Sequence, residues 1–257
     1  MVQIGFKCDK GIMRQNNEDA CFVVPGRNVY VVADGVGGNN SGEVASRTAV
    51  SEIARMVNEA AMDQYRSPEE IFGFFADIIE DVNEQIYQMG LQSQQNRGMA
   101  TTIVTAYIRM NSAYIAIARS CLLKGGGYDV PRAARLLLED FRSGKLGQIT
   151  RDHTYVNELI DKGVITEDEA EHHDQKNVIT KALGTEHRAD PDFYKVDLES
   201  NDILLLCSDG LYGEVPAEKI AQILKTDQNM NDMCTSLVQE ALAAGGRDNI
   251  TVICLKI

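Results

Sequence analysis

The chain has 257 residues, 44% of them hydrophobic, and its 38 acidic side chains against 25 basic ones give a net charge of −13. This is enough apolar content for one large core, and no Pro- or Ser-rich linker divides it, so a single domain over 1–257 is expected. The acidic balance argues against a nucleic-acid-binding surface, and no apolar run approaches the roughly 18–20 residues that a membrane span needs.

The six cysteines, Cys8, Cys21, Cys121, Cys207, Cys234 and Cys254, form no C-x-x-C pair and no zinc-spaced cluster with histidine. Cys207 and Cys254 lie inside apolar runs and read as small core residues. Residues 1–7 lack the apolar core of a signal peptide. A soluble, reduced, cytoplasmic protein is expected.

In chain order, residues 3–8, 20–24 and 28–33 read as strands separated by turns. Residues 41–60 turn helical, with Val44, Ala45, Ala49, Ile53, Met56 and Val57 at three- and four-residue steps and Ser41 at the N-cap position. A second helix is predicted over 67–94. Pro68, Glu69 and Glu70 suit its positive end, and its apolar face runs from Ile71 through Phe75, Ile79 and Val82 to Met89. Strands over 101–109 and 113–118 flank a short turn, which is a hairpin signal. A short strand at 146–150, a polar helix over 155–172 and strands at 193–196 and 202–207 follow. Helices over 216–224 and 231–244 and a last strand over 249–257 complete the chain. Strands and helices are grouped rather than strictly alternating, which favours antiparallel sheets covered by helices.

Three aspartates punctuate these elements. Asp34 closes the run 29–33 and opens Gly35-Val36-Gly37-Gly38. Asp209 closes the run 203–208 and opens Gly210-Leu211. Asp248, with Asn249, precedes the run 250–255. A lone Asp-Gly is most often a turn. Carboxylates held at the ends of buried strands, however, can converge on one point, and they repel one another unless a cation lies between them. A hard-metal site with oxygen ligands is the economical reading. Upstream, Arg14 stands in a polar stretch with Glu18 and Asp19. A guanidinium there can hold a phosphoryl group bidentately, and the two acids add ligands or acceptors for metal-bound water.

Arg14…Glu18-Asp19, Asp34-Gly35-Val36-Gly37-Gly38, Gly98-Met99-Ala100-Thr101-Thr102, Ser208-Asp209-Gly210-Leu211 and Asp248-Asn249-Ile250-Thr251 occur in this order. Together they resemble the type 2C (PPM) metal-dependent protein phosphatases in their bacterial serine/threonine form, over about 1–116 and 142–257. The resemblance implies an α+β fold, an αββα sandwich of two antiparallel sheets flanked by helix pairs, with a binuclear Mn or Mg centre at one end. It implies that Asp34 bridges the metals, that the Gly35 carbonyl binds one of them, and that Asp209 and Asp248 hold the other. Glu18 would contact a metal through water, Asp19 would order metal-bound water, and Arg14 would bind the substrate phosphate. The implied reaction is attack of a metal-bridging hydroxide on phosphoserine or phosphothreonine. The implied partners are phosphorylated proteins and a cognate serine/threonine kinase, and the implied state is a monomer. Where some relatives carry histidine after the first Asp-Gly, this chain has Val36, so another group must protonate the leaving oxygen. The region at about 150–185 corresponds to a flap beside the site.

One stretch departs from the family pattern. Residues 117–141 lack the expected Gly-Asp-Ser-Arg, whose aspartate is linked in relatives to a third, weaker metal site; Asp129 is the available substitute. Gly125–Gly127 breaks this segment, and 131–141 reads as a short helix with Ala134, Leu137, Leu138 and Phe141 on one face. Three origins stay open: a frame disruption, an inserted docking surface, or a strand built from unrelated residues. The alternative function is a catalytically impaired member that binds phosphoproteins or a kinase.

Overall fold

A computed structural model of the chain describes residues 2–24, 26–36, 41–118, 135–140, 145–149, 159–160, 163–166, 169 and 182–257. Among the described residues, ten strands form two five-stranded antiparallel sheets. In the first sheet, β1 (Gln3–Asp9) lies beside β10 (Ile250–Lys256), followed by β9 (Ile203–Cys207), β6 (Arg135–Asp140) and β7 (Lys145–Gln148). In the second, β2 (Asp19–Val24), β3 (Val29–Val36), β4 (Ala100–Arg109), β5 (Ser112–Ala118) and β8 (Asp192–Asp197) stand in that order.

Side-chain alternation along the strands builds three apolar layers. Val29, Val31 and Ala33 of β3 face α1 (Ser41–Glu59) and α2 (Pro68–Gln92). Tyr30 and Val32 face the other way and meet Leu204, Leu206, Ile253 and Leu255 between the sheets. Leu205, Cys207, Val252 and Cys254 point outward from the first sheet. They are covered by α4 (Ala217–Leu224) and α5 (Met230–Ala244). The order of layers is helices, sheet, sheet, helices, so the αββα sandwich expected from the sequence is the one found. Cys207 and Cys254 are core residues, as their apolar runs imply.

Most elements follow from local rules. Ser67 caps α2, and a capping box with Glu70 closes its first turn, with Pro68 just inside. The predicted apolar face of α2 is the buried one. Two details of the first helix differ from expectation. Val44 is exposed while Val50 and Ala54 are buried, because the stripe facing the sheet is rotated slightly. Ser41 is the first residue of the helix, and its hydroxyl donates to the Gln95 carbonyl at 2.6 Å, tying α1 to the end of α2. The third strand also runs on through Asp34 and Gly35 to Val36, beyond the predicted end at 33.

The larger correction is in the atypical segment. Residues 135–140 form β6, a strand inside the first sheet, and no helix spans 131–141. β6 pairs with β9 on one side and β7 on the other. The run Leu136-Leu137-Leu138 suits either element by periodicity, and two-sided pairing of the backbone decides for the strand. Asp129, and all but a few residues of the expected helix over 155–172, lie outside the described residues. Among the described residues, no helix is long and apolar enough to cross a membrane.

Candidate active site

The predicted site residues come from both sheets and meet at one end of the sandwich. Asp19 and Asp34 face each other in the β2–β3 ladder, and Asp34 is only 2% exposed. Glu18 immediately precedes β2, and its carbonyl accepts from the Gly35 N–H at 3.1 Å. From the other sheet, Asp209 starts a single helical turn, α3 (Asp209–Tyr212), directly after β9. Asp248 lies just before the neighbouring β10. The two halves are joined where the Ser208 hydroxyl donates to the Asp19 carboxylate at 2.6 Å. The same hydroxyl accepts from the Thr251 N–H at 2.9 Å.

Glycine is required where backbones crowd here. A Cβ on Gly35 would overlap the Gly42 carbonyl at the start of α1, and one on Gly210 would overlap the Asn249 carbonyl. In the structure Gly35 is a strand residue opposite Thr101, and close approach of α1 is what excludes a side chain.

The electrostatics are those of crowded carboxylates. Burial pushes the Asp34 carboxyl well above the usual range, and the charges of Asp19, Asp209, Asp248 and Glu18 push it further in the same direction. Asp19 is pushed up to about 8, chiefly by burial, against the Ser208 hydrogen bond that lowers it. Burial also raises Glu18 and Asp248. Such groups hold protons or cations rather than bare charge. Arg14 is hydrogen-bonded among them: its Nη2 lies 2.7 Å from Asp248 Oδ2. Asp19, Asp209, Asp248 and Glu18 thus all act on Asp34, and Arg14 acts on Glu18 and Asp248. Among the described residues, no three His, Cys, Asp or Glu side chains already enclose a point as metal ligands do.

Sequence reasoning missed the residues that fasten this arrangement. Asn249 accepts from the Glu18 N–H at 2.8 Å and donates to the carbonyls of Lys10 at 2.8 Å and Asn16 at 2.9 Å. It thereby holds the loop carrying Arg14 and Glu18 against the first sheet. Thr101 donates to the Asp34 carbonyl at 2.9 Å. The available signal was a polar residue at the rim of an apolar run, which Asn249 and Ser208 both are. Gly37 and Gly38 lie outside the described residues, as does most of the predicted flap. Of that flap, Leu183 is fixed by two backbone bonds to Thr101. His187 is exposed, its Nδ1 3.5 Å from Glu84.

A sequence profile described as Protein phosphatase 2C matches residues 12–119, and one described as Stage II sporulation protein E (SpoIIE) matches 151–257. The protein phosphatase PhpP of Streptococcus pneumoniae is 36% identical over 257 residues, spanning 98% of this chain and 96% of that one. The chain belongs to the protein phosphatase 2C family. A serine/threonine phosphatase of S. agalactiae superposes on this family member with a TM-score of 0.86 at 30% identity, covering 100% of both chains. The catalytic domain of the serine/threonine protein phosphatase PstP, whose structure is a complex with 2 manganese ions, gives 0.79 at 27% identity, over 99% of this chain and 97% of that one. The two profiles leave a gap between 119 and 151. That gap contains most of the atypical segment of this phosphatase.

Proposed function

We propose that this phosphatase hydrolyses phosphoserine and phosphothreonine in proteins, using two Mn or Mg ions held by Asp34, the Gly35 carbonyl, Asp209 and Asp248. The observation that carries this reading is the field at Asp34, a buried carboxyl facing four further acids. An all-oxygen acidic donor set is matched to a hard divalent cation. Such a cation supplies Lewis acidity toward the phosphoryl group and makes water more acidic.

The chain's own residues divide the remaining work. Arg14 offers a fork of donors to two phosphate oxygens. Its ion pair with Asp248 keeps the guanidinium aimed at the site before substrate arrives. Asp248 accepts from Arg14 on one oxygen and from the Asn249 N–H on the other, at 2.8 Å. Glu18 and Asp19 accept hydrogen bonds from water at the site, and Ser208 fixes the Asp19 oxygen that does so. Val36 has no ionisable proton, so the leaving serine or threonine oxygen takes its proton from water or from another group at the site.

Phosphorylated proteins, including a cognate serine/threonine kinase, are the proposed partners, met in the cytoplasm by a monomer. A third metal site needs a carboxylate from the atypical segment. The unmatched gap in the profiles favours one second reading: a member that binds phosphoproteins without turnover. Asp209→Asn separates the two, because an amide replaces a charged ligand. Calorimetric Mn affinity is expected to fall about tenfold or more and turnover with it. Unchanged affinity removes Asp209 from the ligand set, and absence of any Mn-dependent turnover in the parent chain favours the binding module.

A further inference from the structure

Two cysteines outside the catalytic residues stand together at its edge. β1 and β2 are edge strands of different sheets. Cys8 faces the gap between the sheets, beside Thr251 in the β1–β10 ladder. Cys21 packs against the same inter-sheet layer from β2. Cys8 is exposed and Cys21 half-buried, whereas Cys207, Cys234 and Cys254 are buried. The Cys8 sulfur lies 2.9 Å from the Thr251 hydroxyl and accepts from the Asn17 amide at 3.1 Å. Cys21 is the neighbour that acts most strongly on the Cys8 thiol, and Cys8 the one that acts most strongly on Cys21.

We propose that Cys8 and Cys21 are a peroxide-oxidisable pair whose disulfide ties the edge strands of the two sheets together and lowers the activity of the adjoining site. The influence of Cys21 first, then hydrogen bonding to Thr251 and Asn17, brings the Cys8 thiol down to about 6, while Cys21 is held up. Cys8 is thus the nucleophile and Cys21 the resolving thiol. In the first step the Cys8 sulfur attacks a peroxide oxygen. An S–O bond forms, the O–O bond breaks, and the departing hydroxide takes a proton to become water. Cys8 is now a sulfenic acid. Cys21 then attacks that sulfur; the S–S bond forms, the S–O bond breaks, and hydroxide leaves with the Cys21 proton as a second water. A thiol reductant reverses the change, as a reducing cytoplasm requires.

The link to the site is short. Thr251 also acts on the Asp19 carboxyl, lowering it against the effect of burial. Asn17, which donates to Cys8, accepts from the Asp19 N–H at 3.1 Å. A disulfide sulfur is a far weaker acceptor than a thiolate, so Asn17 and Thr251 lose the partner that positions them around Asp19.

The reduced full chain is treated with hydrogen peroxide, digested without reductant and mapped by mass spectrometry. The expected result is a peptide joining Cys8 to Cys21 and a fall in free thiols from six to four. Turnover of a phosphopeptide is expected to drop about tenfold and to return with dithiothreitol. Cys21→Ser is expected to keep basal turnover and to stop at a Cys8 sulfenic acid trapped by dimedone. Oxidation at other cysteines without the Cys8–Cys21 peptide overturns the proposal, as does a linked chain with undiminished turnover. The loss of turnover rests on the phosphatase reading, but the linked peptide does not. A chain inactive before peroxide that still forms the link sinks that reading and the inhibitory half of this proposal, and leaves the pair itself standing.

Discussion

At the residue scale, the site is a set of carboxylates that the fold forces together and a smaller set of polar residues that aim them. The carboxylates were legible because each stood beside an apolar run, although β3 continues two residues past Asp34. Asn249 and Ser208 were not legible as fasteners, since their partners lie more than 180 residues away in sequence and spacing carries no trace of such contacts. Ser208 matters twice, donating to Asp19 and accepting from the Thr251 N–H. Ser208→Ala leaves a buried N–H without that acceptor, so a loss of about 1–3 kcal/mol is expected in urea unfolding. Asp19, losing the hydrogen bond that lowers it, rises further above about 8. Stability equal to the parent contradicts the role given to this hydroxyl.

At the element scale, helices with strong caps and wide apolar faces were readable and one strand was not. α2 carries its start signal locally, in Ser67, Pro68 and Glu70. β6 has no comparable local signal. Its three consecutive leucines satisfy a helix or a buried strand equally, and only its neighbours β9 and β7 make it a strand. A proline tests this directly. Leu137 pairs with Leu205 on one side and Gln148 on the other, so its N–H points at a partner strand in either direction. Leu137→Pro removes a ladder hydrogen bond from a strand paired on both edges, where proline is not accommodated. The denaturant midpoint is expected to fall sharply, by the equivalent of about 3 kcal/mol or more, and an unchanged midpoint contradicts the placement of β6.

At the scale of the whole molecule, the sandwich brings acids from two sheets to one rim, and this couples stability to protons and metal. The folded chain holds Asp19 at about 8 and raises Asp34 above its ordinary 3.8, so the native state keeps protons that the unfolded chain releases. Stability from these groups is complete below their unfolded pKa and is lost as pH rises through the folded values. Metal-free protein is therefore expected to melt lower near pH 8 than near about pH 5, with the loss spread between 3.8 and about 8. Mn is expected to raise the melting temperature more at the higher pH, where protons no longer compete for the same oxygens. A metal-free melting temperature that is flat or rising over this interval contradicts the crowding of these carboxylates.

The central claim is that the acids around Asp34 hold divalent cations for phosphate hydrolysis. Its most direct test is Mn-dependent turnover of a phosphothreonine peptide by the parent chain and by Asp34→Ala. The account predicts turnover that rises with Mn in the parent chain and falls by about 10²–10³-fold in the variant. Equal turnover in the two proteins, or turnover in the parent indifferent to Mn and to chelator, would contradict it.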